Sequence, residues 1–197
     1  MKTASSIGLA ALCALLSGCQ GSPPRDGSAP GYAEAAFAAY PGTTIRYYDV
    51  DGTDPKAIRD SLNAFGQPGR DGKTYAASTY WHAQWHWSAD ADGRCDLAHM
   101  TYDFHITVTL PRLHDRDRID PALRTSWDRY MAALIDHELG HAKHGYEHRD
   151  DIANAVRSSS CENANAAGEA VIQELSKYDV QYDAETHHGA TQGAVFP

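Results

Sequence analysis

Four histidines and two glutamates fall within the twelve residues from His137 to His148, HELGHAKHGYEH. The first five residues spell H-E-x-x-H. On a helix, His137 and His141 stand about 40° apart around the axis and one turn apart along it, so both imidazoles can converge on one ion. The chemistry this implies is that of a zinc site, with Glu138 beside the metal to take a proton from water as general base. Leu134 shares their side of the helix, which turns the pair toward the interior. With 11 histidines in the chain, the bare pattern would arise by accident in roughly 2 of 100 such sequences. Its placement on a strongly periodic helix in an exported chain is what raises it above accident.

His144 and His148 project from the same side, but on a continuous helix His137 and His144 are about 10 Å apart along the axis, too far to share an ion held at ~2 Å. A metzincin solves this with H-E-x-x-H-x-x-G-x-x-H, where glycine breaks the helix. Here His144 stands at the glycine position, Gly145 is one residue late, and Glu147 stands where the third histidine belongs. A third ligand must therefore come from elsewhere. Glu162, at a spacing close to that of gluzincins, is one candidate; the adjacent His187 and His188 of the C-terminal YDAETHHGATQGAVFP are the others. That polar, Gly-bearing tail is expected to fold back over the cleft.

The elements that position these residues can be read from periodicity. TTIRYYDV, from Thr43, reads as a strand. TDPKAIRDSLNAFG follows as a short helix, with Thr53 or Asp54 as cap, Pro55 in the first turn and Gly66 at the end. In TYAASTYWHAQWHW the aromatic positions Tyr75, Trp81, Trp85 and Trp87 alternate with His82, Gln84 and His86. In DLAHMTYDFHITVTL the even positions from Ala98 to Leu110 are apolar and the odd ones polar. Strict period two over this length predicts strands with one buried face, and the turn-rich SADADGRC between them predicts a hairpin. The tryptophans are read as core. Asp120 and Pro121 then open a helix on which Leu123, Trp127, Tyr130, Met131 and Leu134 recur up to the histidine cluster. A second helix is expected from about Glu162 to Tyr182. Strands first and helices second make an α+β fold, an N-terminal antiparallel sheet followed by two long helices.

Residues 1–18 read as a secretory leader, with Lys2 before the apolar IGLAALCALLSG, too short a run to span a bilayer. LSGC, ending at Cys19, matches the lipobox of bacterial lipoproteins, so Cys19 is expected to carry lipid, on the outer membrane if the cell is Gram-negative. Residues 19–42, rich in Gly, Pro, Ser and Ala, read as a tether, and 43–197 as the folded domain. Export leaves Cys95 and Cys161 in the mature domain, where an oxidising compartment favours a disulfide between them. The formal charge of −9, with no basic run, argues against nucleic acid or an anionic membrane surface as partner.

The sequence resembles a bacterial domain-of-unknown-function family described as predicted secreted zinc-dependent proteases. The resemblance extends from YYDV to the C-terminus and rests on the alternating Trp-bearing strand, the Cys before the next strand, its TLP exit, HELGH, the second Cys and the tail. The family's tail pattern Y-D-x-x-T-x-H-G maps onto Tyr182, Asp183, Thr186, His188 and Gly189. The resemblance implies His188, ahead of His187 and Glu162, as third zinc ligand, and supports the Cys95–Cys161 pair. The reading is a zincin-like hydrolase of the cell envelope, most simply a peptidase acting on peptide or protein substrates. His137, His141 and His188 hold Zn2+, Glu138 is the base, Asp183 orients a ligand, and His187 or Tyr182 stabilises the oxyanion. The alternative is a non-catalytic zinc-binding lipoprotein, a metal buffer or interaction module, suggested by the further histidines His82, His86, His99 and His105.

Overall fold

The computed structural model describes residues 31–69 and 71–197; the leader at 1–18 and Cys19 lie outside the described residues. Within the segment expected to be tether, Tyr32–Phe37 forms a short helix, α1, whose Ala33 and Phe37 are buried in the main core. The folded body therefore begins ahead of residue 43, because these two apolar side chains find a surface on the core.

Strand β1 (Thr43–Val50) is followed by helix α2 (Pro55–Phe65), which Asp54 caps by accepting a hydrogen bond from the Ala57 amide. A minimal hairpin, β2 (Gln67–Pro68) and β3 (Thr74–Tyr75), leads to the two long strands β4 (Ser78–His86) and β5 (Thr101–Leu113). β4 and β5 pair antiparallel as the alternation predicted, with His82 opposite His105. The sheet is mixed rather than antiparallel, however. Its order is β1-β5-β4, and β1 runs parallel to β5. β5 carries Ile106, Val108 and Leu110, all fully buried, so it takes the centre. β1 and β4 must then flank it, and α2 with the small hairpin links them at one end of the sheet. Periodicity fixes which face a strand buries and is silent on the direction of its partner.

Helix α3 (Pro121–Glu147) starts at the expected place, with Asp120 accepting from the amides of Ala122 and Leu123. Its apolar stripe, including Trp127, Met131, Leu134 and Ile135, packs into the main core with the buried face of the sheet. A short helix that periodicity did not reveal, α4 (Arg149–Arg157), precedes α5 (Ala164–Thr186). Trp85, Trp87 and Tyr102 pack onto a second cluster built from Leu97, Met100, Ala153, Val156 and Ala164, while Trp81 packs on the main core. Cys95 and Cys161 are joined by a disulfide, which ties the β4–β5 connection to the turn ahead of α5. Such a bond is characteristic of chains that leave the cytoplasm. Among the described residues no helix is long and apolar enough to cross a membrane.

Candidate metal centre

α3 continues unbroken through HELGHAKHG, so His137 and His141 stand one turn apart as their spacing requires. Both are buried, at 3% and 7% exposure, and Glu138 between them is equally enclosed. The surface they face is the C-terminal part of α5, which presents Asp179 and Asp183, again four residues apart. Asp183 Oδ1 lies 3.1 Å from His137 Nε2 and 3.1 Å from His141 Nε2. The other ring nitrogens are held as well. His141 Nδ1 lies 3.0 Å from Asp179 Oδ1, and His137 Nδ1 lies 2.9 Å from Gln192 Oε1.

A further layer fixes these supports. Trp81 Nε1–H on β4 donates to Asp179 Oδ2 (3.1 Å), and Gln192 Nε2–H donates to the Tyr182 hydroxyl (2.9 Å). The Tyr182 ring stacks on His137, with centroids 5.0 Å apart and planes 9° apart, and meets His141 edge-on. Gly140, in the middle of the motif, makes this possible, because a Cβ there would overlap the Tyr182 hydroxyl. Gly189, at φ +80°, brings the tail against His137, where a Cβ would fall 3.0 Å from the His137 Cβ. The tail folds back as expected. Phe196 then packs on Trp127 and Tyr130, at 5.6 and 5.5 Å between centroids.

Donor atoms of His137, His141 and Asp183 all lie within 4.8 Å of one another, so these three, among the described residues, form a group of three ligating side chains that could hold a metal ion. Their chemistry fits a borderline divalent cation. Four ligands at 2.0–2.2 Å in a tetrahedron are separated from one another by roughly 3.3–3.6 Å, close to the spacing between the Asp183 oxygen and each imidazole. Each Nε2 faces the common centre while its Nδ1 is held by an outer acceptor, which is how ligating histidines are oriented.

The other candidates fall elsewhere. His188, implied as third ligand, lies at the rim. Its Nδ1 is 3.5 Å from Asp183 Oδ1, its side chain is 45% exposed, and its ring lies against Tyr75 at 4.2 Å. His187 is exposed and serves as the left-handed cap that ends α5. Glu162 is exposed ahead of α5; nineteen residues of helix, about 28 Å at 1.5 Å each, separate Ala164 from Asp183. Asp183, read as a residue orienting a ligand, instead completes with His137 and His141 the group that could hold an ion. Asp179, Gln192, Trp81 and Thr79 were not foreseen. For the two carboxylates a signal existed: Asp179 and Asp183 repeat at the same four-residue spacing as the histidines they face.

The electrostatics follow from burial and pairing. Burial raises the Glu138 carboxyl above the ordinary range, against the pull of His141 and His137 and of the Thr79 hydroxyl, which donates to Glu138 Oε2 at 2.7 Å. Burial disfavours the charged form of His141, but hydrogen bonds to Asp179 and Asp183 prevail and raise it to about 10 without a metal. Burial opposes the charge on Asp183 too, and the hydrogen bonds from His137 and His141 hold it well below the usual carboxylate range.

No curated protein and no solved structure matches the chain. A family model does match, over residues 45–189, which includes H-E-x-x-H, both cysteines and the acidic end of α5. The chain belongs to the family described as bacterial protein of unknown function, DUF922.

Proposed function

We propose that the protein is a zinc-dependent peptidase of the cell envelope, anchored through lipid on Cys19. The observation that carries this reading is the convergence of two imidazole Nε2 atoms on one Asp183 oxygen, each ring supported behind, with a buried carboxylate beside them. His137, His141 and Asp183 hold the ion, Asp183 taking the place that the tail pattern gave to His188. When bound, zinc supplies Lewis acidity, which acidifies water and polarises a carbonyl.

Glu138 is the general base. Burial makes its carboxylate a stronger base than one in water, and the Thr79 hydroxyl fixes its direction. It removes a proton from the attacking water and returns it to the departing amine. Asp179 and Gln192 keep the two imidazoles in the tautomer whose Nε2 lone pair faces the centre. Tyr182, stacked on His137 and hydrogen-bonded to Gln192, stands at the site with a hydroxyl that can turn toward a developing oxyanion.

Glu138→Gln is the test. The variant is expected to keep its zinc, by elemental analysis, and to lose about 10²–10⁴-fold in turnover of a mixed peptide library. Undiminished turnover in the purified variant would refute the mechanism. The second reading, a zinc-binding envelope protein without catalysis, draws support from the near-complete burial of His137 and His141; it predicts zinc in the wild type and cleavage of no peptide by either form.

A further inference from the structure

One turn beyond His141, α3 and its C-cap residue carry another imidazole pair at the same spacing. His144 and His148 have ring centroids 4.7 Å apart, against 4.9 Å for His137 and His141. The His148 amide still bonds back to the His144 carbonyl at 3.2 Å, so one helical turn separates the two. His148 Nδ1 lies 2.8 Å from Asp151 Oδ2, the support that Asp179 gives His141. That leaves His148 Nε2 for another partner. His144 Nε2 is buried and has no hydrogen-bond partner. The Tyr178 ring stacks on His144 at 3.7 Å and 22°, which fixes its plane.

A buried imidazole nitrogen with nothing to bond, beside a second imidazole whose far nitrogen is fixed by a carboxylate, is an arrangement that a cation completes. We propose that His144 and His148 form a second, weaker site for a borderline divalent ion such as Zn2+ or Ni2+, distinct from the His137–His141–Asp183 centre. His148 and Asp151 are exposed enough for water to fill the remaining positions, at 44% and 60% of their side chains. Seven residues separate the corresponding histidines of the two pairs, about 10 Å along the axis. That exceeds the 3.5–4 Å of co-catalytic metal pairs, so the second ion is independent of the first and takes no part in one bridged centre.

The test is a titration of the metal-free full chain with Zn2+, and separately with Ni2+, by calorimetry and by elemental analysis after dialysis. Two equivalents are expected, the second at least about tenfold weaker because two protein donors replace three. His148→Ala, checked for an unchanged far-ultraviolet spectrum, is expected to lose the second equivalent and to keep the first within about threefold. The control is His105→Ala, since His105 faces His82 across the sheet with ring centroids 5.1 Å apart. A single equivalent in the wild type overturns the proposal, as does a second equivalent that survives His148→Ala or disappears in His105→Ala. The peptidase reading fails on different grounds, a missing tight equivalent or an active Glu138→Gln variant.

Discussion

Asp179→Asn separates two roles that one carboxylate plays at the centre. Asp179 holds His141 through Nδ1, and its other oxygen accepts from Trp81 Nε1, so with an ion bound it would orient that imidazole as an outer partner. An amide in its place has one acceptor for these two donors, so one N–H is left facing another. Loss of an outer partner of this kind costs about 10–100-fold in metal affinity. In the metal-free protein the same carboxylate has the opposite influence. Its hydrogen bond is the largest of the effects that raise His141, which reaches about 10, and an arriving ion must expel that proton. Wild-type affinity for zinc should therefore rise about tenfold per pH unit below 10, or about a hundredfold between pH 7 and pH 9. A site built from histidines near 6.5 would gain almost nothing over that interval.

Without Asp179 the proton on His141 is held less firmly, and the gain between pH 7 and pH 9 shrinks to about tenfold or less. The two effects together predict a gap between variant and wild type of about 10–100-fold at pH 9 that closes to within about tenfold at pH 7. Competition against a chromophoric chelator calibrated at each pH measures both gaps. Calorimetry in two buffers of different ionisation enthalpy counts the proton released, expected at about one per ion in the wild type at pH 8. Wild-type affinity that stays flat above pH 7, or a gap that is the same at both pH values, would refute the assignment of that proton to His141.

Three further outcomes follow from the same geometry. Asp183→Ala should weaken zinc binding by about a hundredfold or more, whereas His188→Ala, at the rim, should change it by less than about fivefold; the reverse order would restore His188 as ligand. The metal-free protein should lose thermal stability as pH rises from 6.5 toward 10. His141, raised when folded, contributes fully below its unfolded value near 6.5 and loses that contribution as pH climbs through about 10. Asp183, depressed when folded, loses its contribution as pH falls below about 4. Thermal melts with a chelator present, at constant ionic strength, would show this decline on both sides, and saturating zinc should remove the alkaline one. Replacing both cysteines of the Cys95–Cys161 pair, which are 66 residues apart, should lower unfolding stability by about 4 kcal/mol on the chain-entropy account; denaturant melts of the two forms measure it.

The half of the site that was legible in the sequence is the half that is local. H-E-x-x-H places two imidazoles on one helix face by backbone geometry alone, and Asp120-Pro121 with the apolar repeat fixes where that helix starts. The buried faces of β4 and β5 were legible for the same reason, since period two is a property of the strand itself. The third ligand depends on where α5 ends and which of its faces meets α3. Periodicity ended α5 at Tyr182, which would place Asp183 in a loop and free His188 to approach the metal. α5 in fact runs one turn further, to Thr186. That turn carries Asp183 onto the surface facing His137 and His141, directly above Asp179, and leaves His187 and His188 in the left-handed turn that ends the helix. Carboxylates four residues apart usually lie on a solvated helix face, so the matching four-residue spacing of Asp179 and Asp183 is a weak signal that α5 alone does not make specific. Their meaning comes from Tyr182, whose ring can reach His137 because Gly140 carries no side chain, and from Gln192, which reaches it because the tail is anchored by Phe196 between Trp127 and Tyr130. The centre is thus assembled from one segment that fixes itself and two that are fixed by packing against it. That division explains why substitutions of the supports Asp179 and Gln192 should tune the affinity for an ion and its pH dependence, while substitutions of His137 and His141 should abolish binding.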